Sequence, residues 1–354
     1  MLDKERKATK APPIGRSAIL LVKVVQPAFL LLRTSGQVEP EQGGNAAALL
    51  FPSAAPAFTV RTVASGTDET TVIEILTGRS NAQRQLIAAE YKSYTGKELK
   101  DALKEDTSGD FGRALVALVT PPAEFDAEQI NRTVRGVGTN ETGLIEIVAS
   151  RTSKQIREIS QVYYSVYRSI MHEDIGWDTS GDFKRTMLAL LDAKRDENPQ
   201  AHEEVAKRDA QLLYTAGEKR WGTDETKFIE ILSTSSIAQL KLTFEEYKKL
   251  TGHRMEDSVL NETSGDFAEL LLAVVKCANN APAFFAEKLN RSIKGPGTDE
   301  VTLTRILVSR SEIDLLDIRH EYKNLFGESL YSAISSDTSG DYRRTLLKIC
   351  GGDD

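Results

Sequence analysis

The chain of 354 residues is short of cysteine, histidine, long apolar runs and positive charge, and each shortage excludes something. Cys277 and Cys350 are its only cysteines, too few for a disulfide scaffold. Both fall in apolar helical stretches, which predicts buried, reduced thiols. The four histidines (His172, His202, His253, His320) share no offset in the pattern described below. No nucleophile elbow, phosphate-binding loop or thiol motif is present either, so no enzyme is expected. Ser17–Leu32 is apolar enough to resemble a signal-peptide core, but Lys23, Gln26 and Pro27 interrupt it. It is also shorter than the roughly 20 residues of a spanning helix, and no plain small-residue cleavage site follows. Residues 1–56 therefore read as a flexible N-terminal tail, with a targeting or membrane role as the alternative. The 45 Lys and Arg are outnumbered by 52 Asp and Glu, a net charge of −7. Residues 1–50 carry seven basic and four acidic side chains, so the rest is more acidic still. Nucleic acid is excluded as a partner on this ground. Like charges repel over a Debye length of about 10 Å, and only a bridging cation would join this chain to a polyanion. Sustained period-two alternation is also missing, which predicts an all-α protein.

What is present is a repeat. Gly66-Thr67-Asp68-Glu69, Gly138-Thr139-Asn140-Glu141, Gly222-Thr223-Asp224-Glu225 and Gly297-Thr298-Asp299-Glu300 are each followed by a carboxylate. Those carboxylates are Asp106, Asp178, Glu262 and Asp337, each forty residues past its glycine and each opening a Thr-Ser-Gly-Asp string. Counting from the same glycines, the ninth residue is Ile75, Ile147, Ile231 and Ile306, and the twenty-fifth is Tyr91, Tyr163, Tyr247 and Tyr322. Self-similarity at this period means an array rather than two unrelated domains. The four repeats are placed at 57–121, 124–193, 205–277 and 281–350. The polar run Lys194–Pro199 reads as a surface linker between a front and a back pair.

Within a repeat the pattern is helical, about five helices in 70 residues. In the fourth, Phe285, Leu289 and Ile293 recur at i, i+4 and i+8 before the glycine turn. Thr298 is the expected N-cap of the next helix, with Asp299 and Glu300 favouring its dipole. Ser311-Glu312-Ile313-Asp314 resembles a capping box for a third helix with buried Leu315, Ile318, Tyr322 and Leu325. Gly327 would end that helix, as Gly96 and Gly252 do in theirs. A short helix then runs through Leu330–Ser336, and Thr338 is the expected cap of the last.

Glycines between helices let the backbone take positive φ and turn carbonyl oxygens toward one point. Carbonyls with one carboxylate are hard oxygen ligands, which suit Ca²⁺ at about 2.3–2.6 Å with six to eight oxygens. Such a site leaves positions for water or a lipid phosphate. With so little ligand charge its affinity without lipid is expected at about 10⁻⁴–10⁻³ M. Either string alone reads as a helix cap. Four copies at one spacing do not, because capping has no reason to fix that distance.

From about residue 57 to its end the chain resembles the annexins, with four repeats of Gly-x-Gly-Thr and an acid about forty residues later. Ser309–Leu315 and Cys350–Asp354 look most like the short-tailed vertebrate annexin V type. The resemblance implies a curved disc of helices whose convex face docks on acidic phospholipid, such as phosphatidylserine, through Ca²⁺. It implies a cytoplasmic protein, peripheral on membranes when calcium is present, with a trimer or lattice there as an open alternative. By this analogy the metal carbonyls come from Val134, Gly136 and Gly138 with Asp178 in the second repeat. In the third they come from Gly217, Arg220 and Gly222 with Glu262, and in the fourth from Ile293, Gly295 and Gly297 with Asp337. The first repeat departs, with Ala64 between Thr62 and Gly66, facing Asp106, and with Pro52 and Pro56 where its first helix should begin. Trp221, in the third loop, is expected to insert at the lipid interface. Ser235 stands where the other repeats have Arg79, Arg151 and Arg310. Such arginines usually cap helix carbonyls. By resemblance Glu146, Arg151 and Arg305 would line a polar channel, with weak Ca²⁺ conduction as a further possibility of the family. The rival reading is a metal-independent α-helical scaffold for protein partners, which leaves the acid spacing unexplained.

Overall fold

The computed structural model describes residues 68–135, 141–217, 225–295 and 297–353. All regular structure among them is helical, with no strand. The first repeat contributes α1 (Glu69–Thr77), α2 (Asn81–Thr95), α3 (Leu99–Asp106) and α4 (Gly109–Val119). The expected tail and anything preceding α1 lie outside the described residues. The second repeat has all five helices: α5 (Pro122–Arg135), α6 (Glu141–Ser150), α7 (Ser153–Tyr167), α8 (Met171–Asp178) and α9 (Gly181–Leu191). The third has α10 (Glu203–Ala216), α11 (Glu225–Thr234), α12 (Ile237–Thr251), α13 (Met255–Glu262) and the front of α14 (Gly265–Lys294). The rear of α14 begins the fourth repeat, which continues as α15 (Glu300–Arg310), α16 (Leu315–Phe326), α17 (Leu330–Asp337) and α18 (Gly340–Cys350).

The continuity of α14 is formal. Asn280 leaves helical geometry at φ −158°, ψ 89°, and its side-chain oxygen accepts from the Ala283 N–H at 3.0 Å. It is in effect the N-cap of the next helix, with Pro282 in a first turn where a missing N–H costs nothing.

Contacts divide the chain into two units, residues up to Val119 with Gly340–Lys348, and Thr120–Ser339 with Ile349–Asp354. The first is built around Val72, Ile73, Leu76, Ile87, Tyr91, Leu99 and Leu115, all buried. Buried Arg84 on α2 joins its helices, donating from Nε to the Leu76 carbonyl at 2.7 Å and from Nη1 to the Leu118 carbonyl at 3.1 Å. It meets carbonyls that the ends of α1 and α4 leave without an intrahelical partner.

In the second unit the repeated tyrosines Tyr163, Tyr247 and Tyr322 have no exposed surface, and each hydroxyl finds a polar partner. Tyr247 reaches Ser258 Oγ at 3.0 Å and Tyr322 reaches Asn290 Oδ1 at 3.2 Å. Phe285, Leu289 and Ile293 are buried as the periodicity predicts, and both cysteines are buried free thiols. Burial pushes the Cys277 thiol up to about 12, so it stays protonated at neutral pH. Gly96, Gly252 and Gly327 end α2, α12 and α16 at φ 74°, 80° and 74°. Arg168 takes the same left-handed place after α7 at φ 54°.

Several local expectations are corrected. Ser311–Asp314 forms no capping box, because the Asp314 carboxylate is drawn to Arg310, with Nε–Oδ1 at 2.7 Å. Leu325 is 47% exposed and lies off the buried stripe. Asp299 rather than Thr298 caps α15, accepting from Thr302 N–H at 3.0 Å. Thr338 closes α17 rather than opening α18, its hydroxyl donating to the Ile334 carbonyl at 2.6 Å.

Asp174 anchors α8. It accepts from Tyr163 Oη and Ser169 Oγ, both at 2.7 Å, with Arg135 at 3.6 Å. Burial alone would raise its pKa, but these hydrogen bonds and the Arg135 charge more than offset it and hold the carboxyl below its usual value. A carboxylate depressed on folding stabilises above its unfolded pKa, and the gain is lost as pH falls through the folded one. Asp174→Asn should therefore be less stable than the parent at neutral pH, and the two should converge as pH falls below about 4. Urea unfolding across a pH series checks this.

Candidate functional site

The four repeated acids share one structural address. Asp106, Asp178, Glu262 and Asp337 are the last residues of α3, α8, α13 and α17. A threonine in extended conformation follows each, at φ/ψ of −131°/161°, −125°/163°, −137°/164° and −114°/170°. Its hydroxyl donates to the carbonyl four residues earlier, at 2.5, 2.7, 2.7 and 2.6 Å. Two residues further on, the chain turns at Gly109, Gly181, Gly265 and Gly340 with φ between 60° and 63°. That left-handed corner is one a side chain resists, which explains the glycine.

The fourth repeat shows what the acid faces. After α14, Gly295 is extended at φ −72°, ψ 178°, and Gly297 takes φ +94°. A Cβ on Gly295 would stand 3.1 Å from the Arg291 carbonyl oxygen and 3.6 Å from that of Gly297, so the turn is tight. The Asp299 N–H closes it on the Ser292 carbonyl at 2.8 Å. Thr298, freed from capping, donates through Oγ1 to Asp337 Oδ2 at 2.7 Å. Glycine turn and distant acid are thus in direct contact.

Elsewhere the acid half is described and the loop half only in part. Val134 lies in the last turn of α5, where carbonyls lack intrahelical partners. Gly217 ends α10, with its N–H on the Leu213 carbonyl at 3.0 Å and Phe228 packed 3.3 Å from where a Cβ would be. Ile293 is buried in the last turn of α14. Gly136, Gly138, Arg220, Trp221, Gly222, Thr62, Ala64 and Gly66 lie outside the described residues.

The electrostatics of the shared address are unusual. A helix C-terminus carries partial negative charge, and a carboxylate there is unfavourable by about 0.3–1 kcal/mol. The last turns of α8, α13 and α17 contain no basic residue to relieve it. That of α3 contains Lys104. Helix-end negative charge and a carboxylate therefore coincide at all four corners. In the fourth repeat the turn's carbonyls and the Asp337 carboxylate are all oxygens, and such a set fits a hard divalent cation. Among the described residues no three His, Cys, Asp or Glu side chains gather into a conventional metal cluster.

The expected channel residues are ion-paired. Arg305 grips Glu146 through two hydrogen bonds of 2.9 and 2.8 Å, with side chains 2% and 0% exposed. Arg151 pairs with Asp126 at 2.6 and 2.9 Å instead of capping carbonyls. Arg310 holds Asp314 and lies 4.5 Å over the Phe285 ring. Where Ser235 interrupts the arginine series, Arg195 reaches in from the linker and donates to the Ser235 and Leu232 carbonyls at 2.8 and 2.6 Å. The linker is surface-exposed apart from this half-buried tie.

One side chain at these corners stands outside the repeat pattern. Trp177, directly before Asp178, is 88% exposed. Lining up the residue before each acid, Glu105, Trp177, Asn261 and Ser336, would have found it.

Four helical repeats, each ending its next-to-last helix on an acid, define a class that comparison with known proteins makes specific. A family model described as Annexin matches residues 62–118, 125–190, 208–274 and 284–349. The chain belongs to the annexin family. It is 61% identical to human annexin A3 over 289 residues, 82% of this chain and 90% of that protein. To chicken annexin A5 it is 50% identical, with the same shares covered. The expected likeness to the annexin V type is thereby corrected, since identity over 289 residues outweighs a likeness in two short terminal stretches. A solved structure of annexin III aligns with a TM-score of 0.81 at 60% identity, covering 82% of this chain and 90% of that one. The crystal structure of calcium-bound annexin (Sm)1 aligns with a TM-score of 0.75 at 35% identity, covering 82% and 86%.

Truncating one partner of a buried ion pair strands the other, at a cost of about 3–5 kcal/mol. Arg305→Met should lose stability on that scale in urea unfolding, and adding Glu146→Leu should restore most of it.

Proposed function

We propose that the protein binds Ca²⁺ at its glycine turns and, through the ion, docks peripherally on membranes rich in acidic phospholipid. The observation that carries this reading is the contact of Thr298 with Asp337, which brings the turn of the fourth repeat onto an acid 39 residues further along the chain. Capping requires no such meeting. The calcium-bound state of annexin (Sm)1 adds support from within the family.

On this reading Ile293, Gly295 and Gly297 offer carbonyl oxygens in the fourth repeat, and Asp337 offers its carboxylate. Val134, Gly136 and Gly138 with Asp178 do so in the second, and Gly217, Arg220 and Gly222 with Glu262 in the third. Thr62, Ala64 and Gly66 with Asp106 form the weakest set, because alanine resists the left-handed turn that glycine allows. A bound Ca²⁺ brings positive charge to both the carboxylate and the helix C-terminus, and it keeps coordination positions open for lipid phosphate. The chain's own contribution is orientation. The threonine after each acid fixes the corner, and the Thr298 hydroxyl steers Asp337 toward the turn. Trp221 in the third loop would enter the lipid interface beside the ion. The net charge of −7 then ceases to be an obstacle, because cations lie between two acidic surfaces. No helix among the described residues is long and apolar enough to cross a membrane, as peripheral docking requires of none.

Co-sedimentation with phosphatidylserine-containing vesicles tests the reading: binding at millimolar Ca²⁺ and release by chelator are expected. Retention in chelator, or no binding with Ca²⁺, would overturn it. The triple variant Asp178→Asn, Glu262→Gln, Asp337→Asn should lose vesicle binding with its far-UV circular dichroism unchanged. Gly297→Ala places a side chain at φ +94° and should cost about 1 kcal/mol or more in thermal or urea unfolding. It should also weaken Ca²⁺ binding at the fourth repeat, read by calorimetry.

A further inference from the structure

Trp177 is the most exposed large apolar side chain among the described residues, at 88%. Its position on α8 explains the exposure. Met171 and Ile175, one turn apart, are 2% and 0% exposed and define the inward face. Trp177, two residues past Ile175, lies about 200° around the helix from it and so faces away from the core. The three equivalent positions, Glu105, Asn261 and Ser336, are also exposed but polar. Folding therefore asks for nothing apolar here. An indole left in water forgoes a large burial energy, and a soluble helix end has no use for one.

Its neighbour gives it a use. Trp177 is covalently next to Asp178, the acid proposed to hold Ca²⁺ against lipid phosphate, and both are exposed at the same helix end. An indole one residue from a headgroup-bridging ion stands at the headgroup depth where amphipathic rings collect, its ring toward the hydrocarbon and its N–H toward water. We propose that Trp177 is a membrane-anchoring residue of the second repeat, entering the interfacial layer of an acidic bilayer when the adjacent Ca²⁺ site is filled. This rests on the Ca²⁺-dependent docking proposed above. It differs from the role expected of Trp221, which belongs to a glycine turn of another repeat. Trp177 stands on the acid's own helix, so the two insertions are structurally independent.

Trp177→Ala should need about tenfold more phosphatidylserine vesicle for half-maximal sedimentation at fixed Ca²⁺, the scale of one buried aromatic side chain. Its thermal melting should stay unchanged, since the ring stands in solvent. Trp177 and Trp221 are the only tryptophans, so Trp221→Phe makes emission a direct report on Trp177. That emission should shift to the blue and be quenched by brominated phosphatidylserine when Ca²⁺ is added, and chelator should reverse both. Unchanged lipid dependence of Trp177→Ala would overturn the proposal. So would emission that is neither shifted nor quenched while the Trp221→Phe protein sediments with vesicles. Self-association in Ca²⁺ without lipid that Trp177→Ala abolishes would assign the ring to a contact between copies and overturn the proposal too. If the parent protein fails to sediment at all, Ca²⁺-dependent docking falls and this inference falls with it. Sedimentation of the parent with an indifferent Trp177 removes this inference alone.

Discussion

A carboxylate at the C-terminal end of a helix is electrostatically misplaced, and this chain misplaces one four times. The last carbonyls of α3, α8, α13 and α17 already point partial negative charge at the spot where Asp106, Asp178, Glu262 and Asp337 stand. Around each acid the backbone is over-determined by a threonine hydroxyl turned back on the helix and by a left-handed glycine two residues beyond it. Rigid local geometry is thus devoted to holding an unfavourable charge in place. The arrangement becomes intelligible when a cation joins it, since one positive ion answers both the dipole and the carboxylate.

The buried framework serves that geometry. Tyr163, Tyr247 and Tyr322 carry their hydroxyls into the core and find polar partners there. The first two reach Asp174 on α8 and Ser258 on α13, the helices that end on two of the acids. Arg84, Arg151, Arg195, Arg305 and Arg310 each neutralise a carboxylate or helix carbonyls inside the protein. Of the repeated acids, Asp178 is exposed and Asp106, Glu262 and Asp337 are half-buried. Asp337 still accepts from Thr298, so even here the chain orients the carboxylate without cancelling its charge.

The repeat, the all-helical fold and, in the fourth repeat, the meeting of glycine turn and acid were legible in the sequence, because spacing survives when local signals are ambiguous. Local signals failed where two neighbours compete for one role. Thr298 and Asp299 are both good caps, and only a tertiary partner, Asp337, decides that the hydroxyl goes elsewhere. Asp314 looked like part of a capping box until Arg310, one turn earlier, claimed it. The loss of arginine at Ser235 was visible, but its replacement by Arg195 forty residues earlier was not, because a linker's path cannot be read from periodicity. Trp177 escaped because the pattern rewards positions that repeat, and its significance lies in not repeating.

On the proposed reading, the same physics implies a graded set of sites rather than four equal ones. The last turn of α3 contains Lys104, while those of α8, α13 and α17 contain no basic residue. On the proposed reading one carboxylate and a few carbonyls leave each ion under-coordinated, so affinity is low until lipid phosphate completes the shell. Ca²⁺ and acidic lipid must then strengthen each other's binding by the same factor, since coupling between two ligands is reciprocal. A site with more protein ligands would hold Ca²⁺ alone and lose that dependence. On that reading the weakness of each isolated site is what lets the membrane be sensed, and a single carboxylate at a helix end is how the fold keeps the site incomplete.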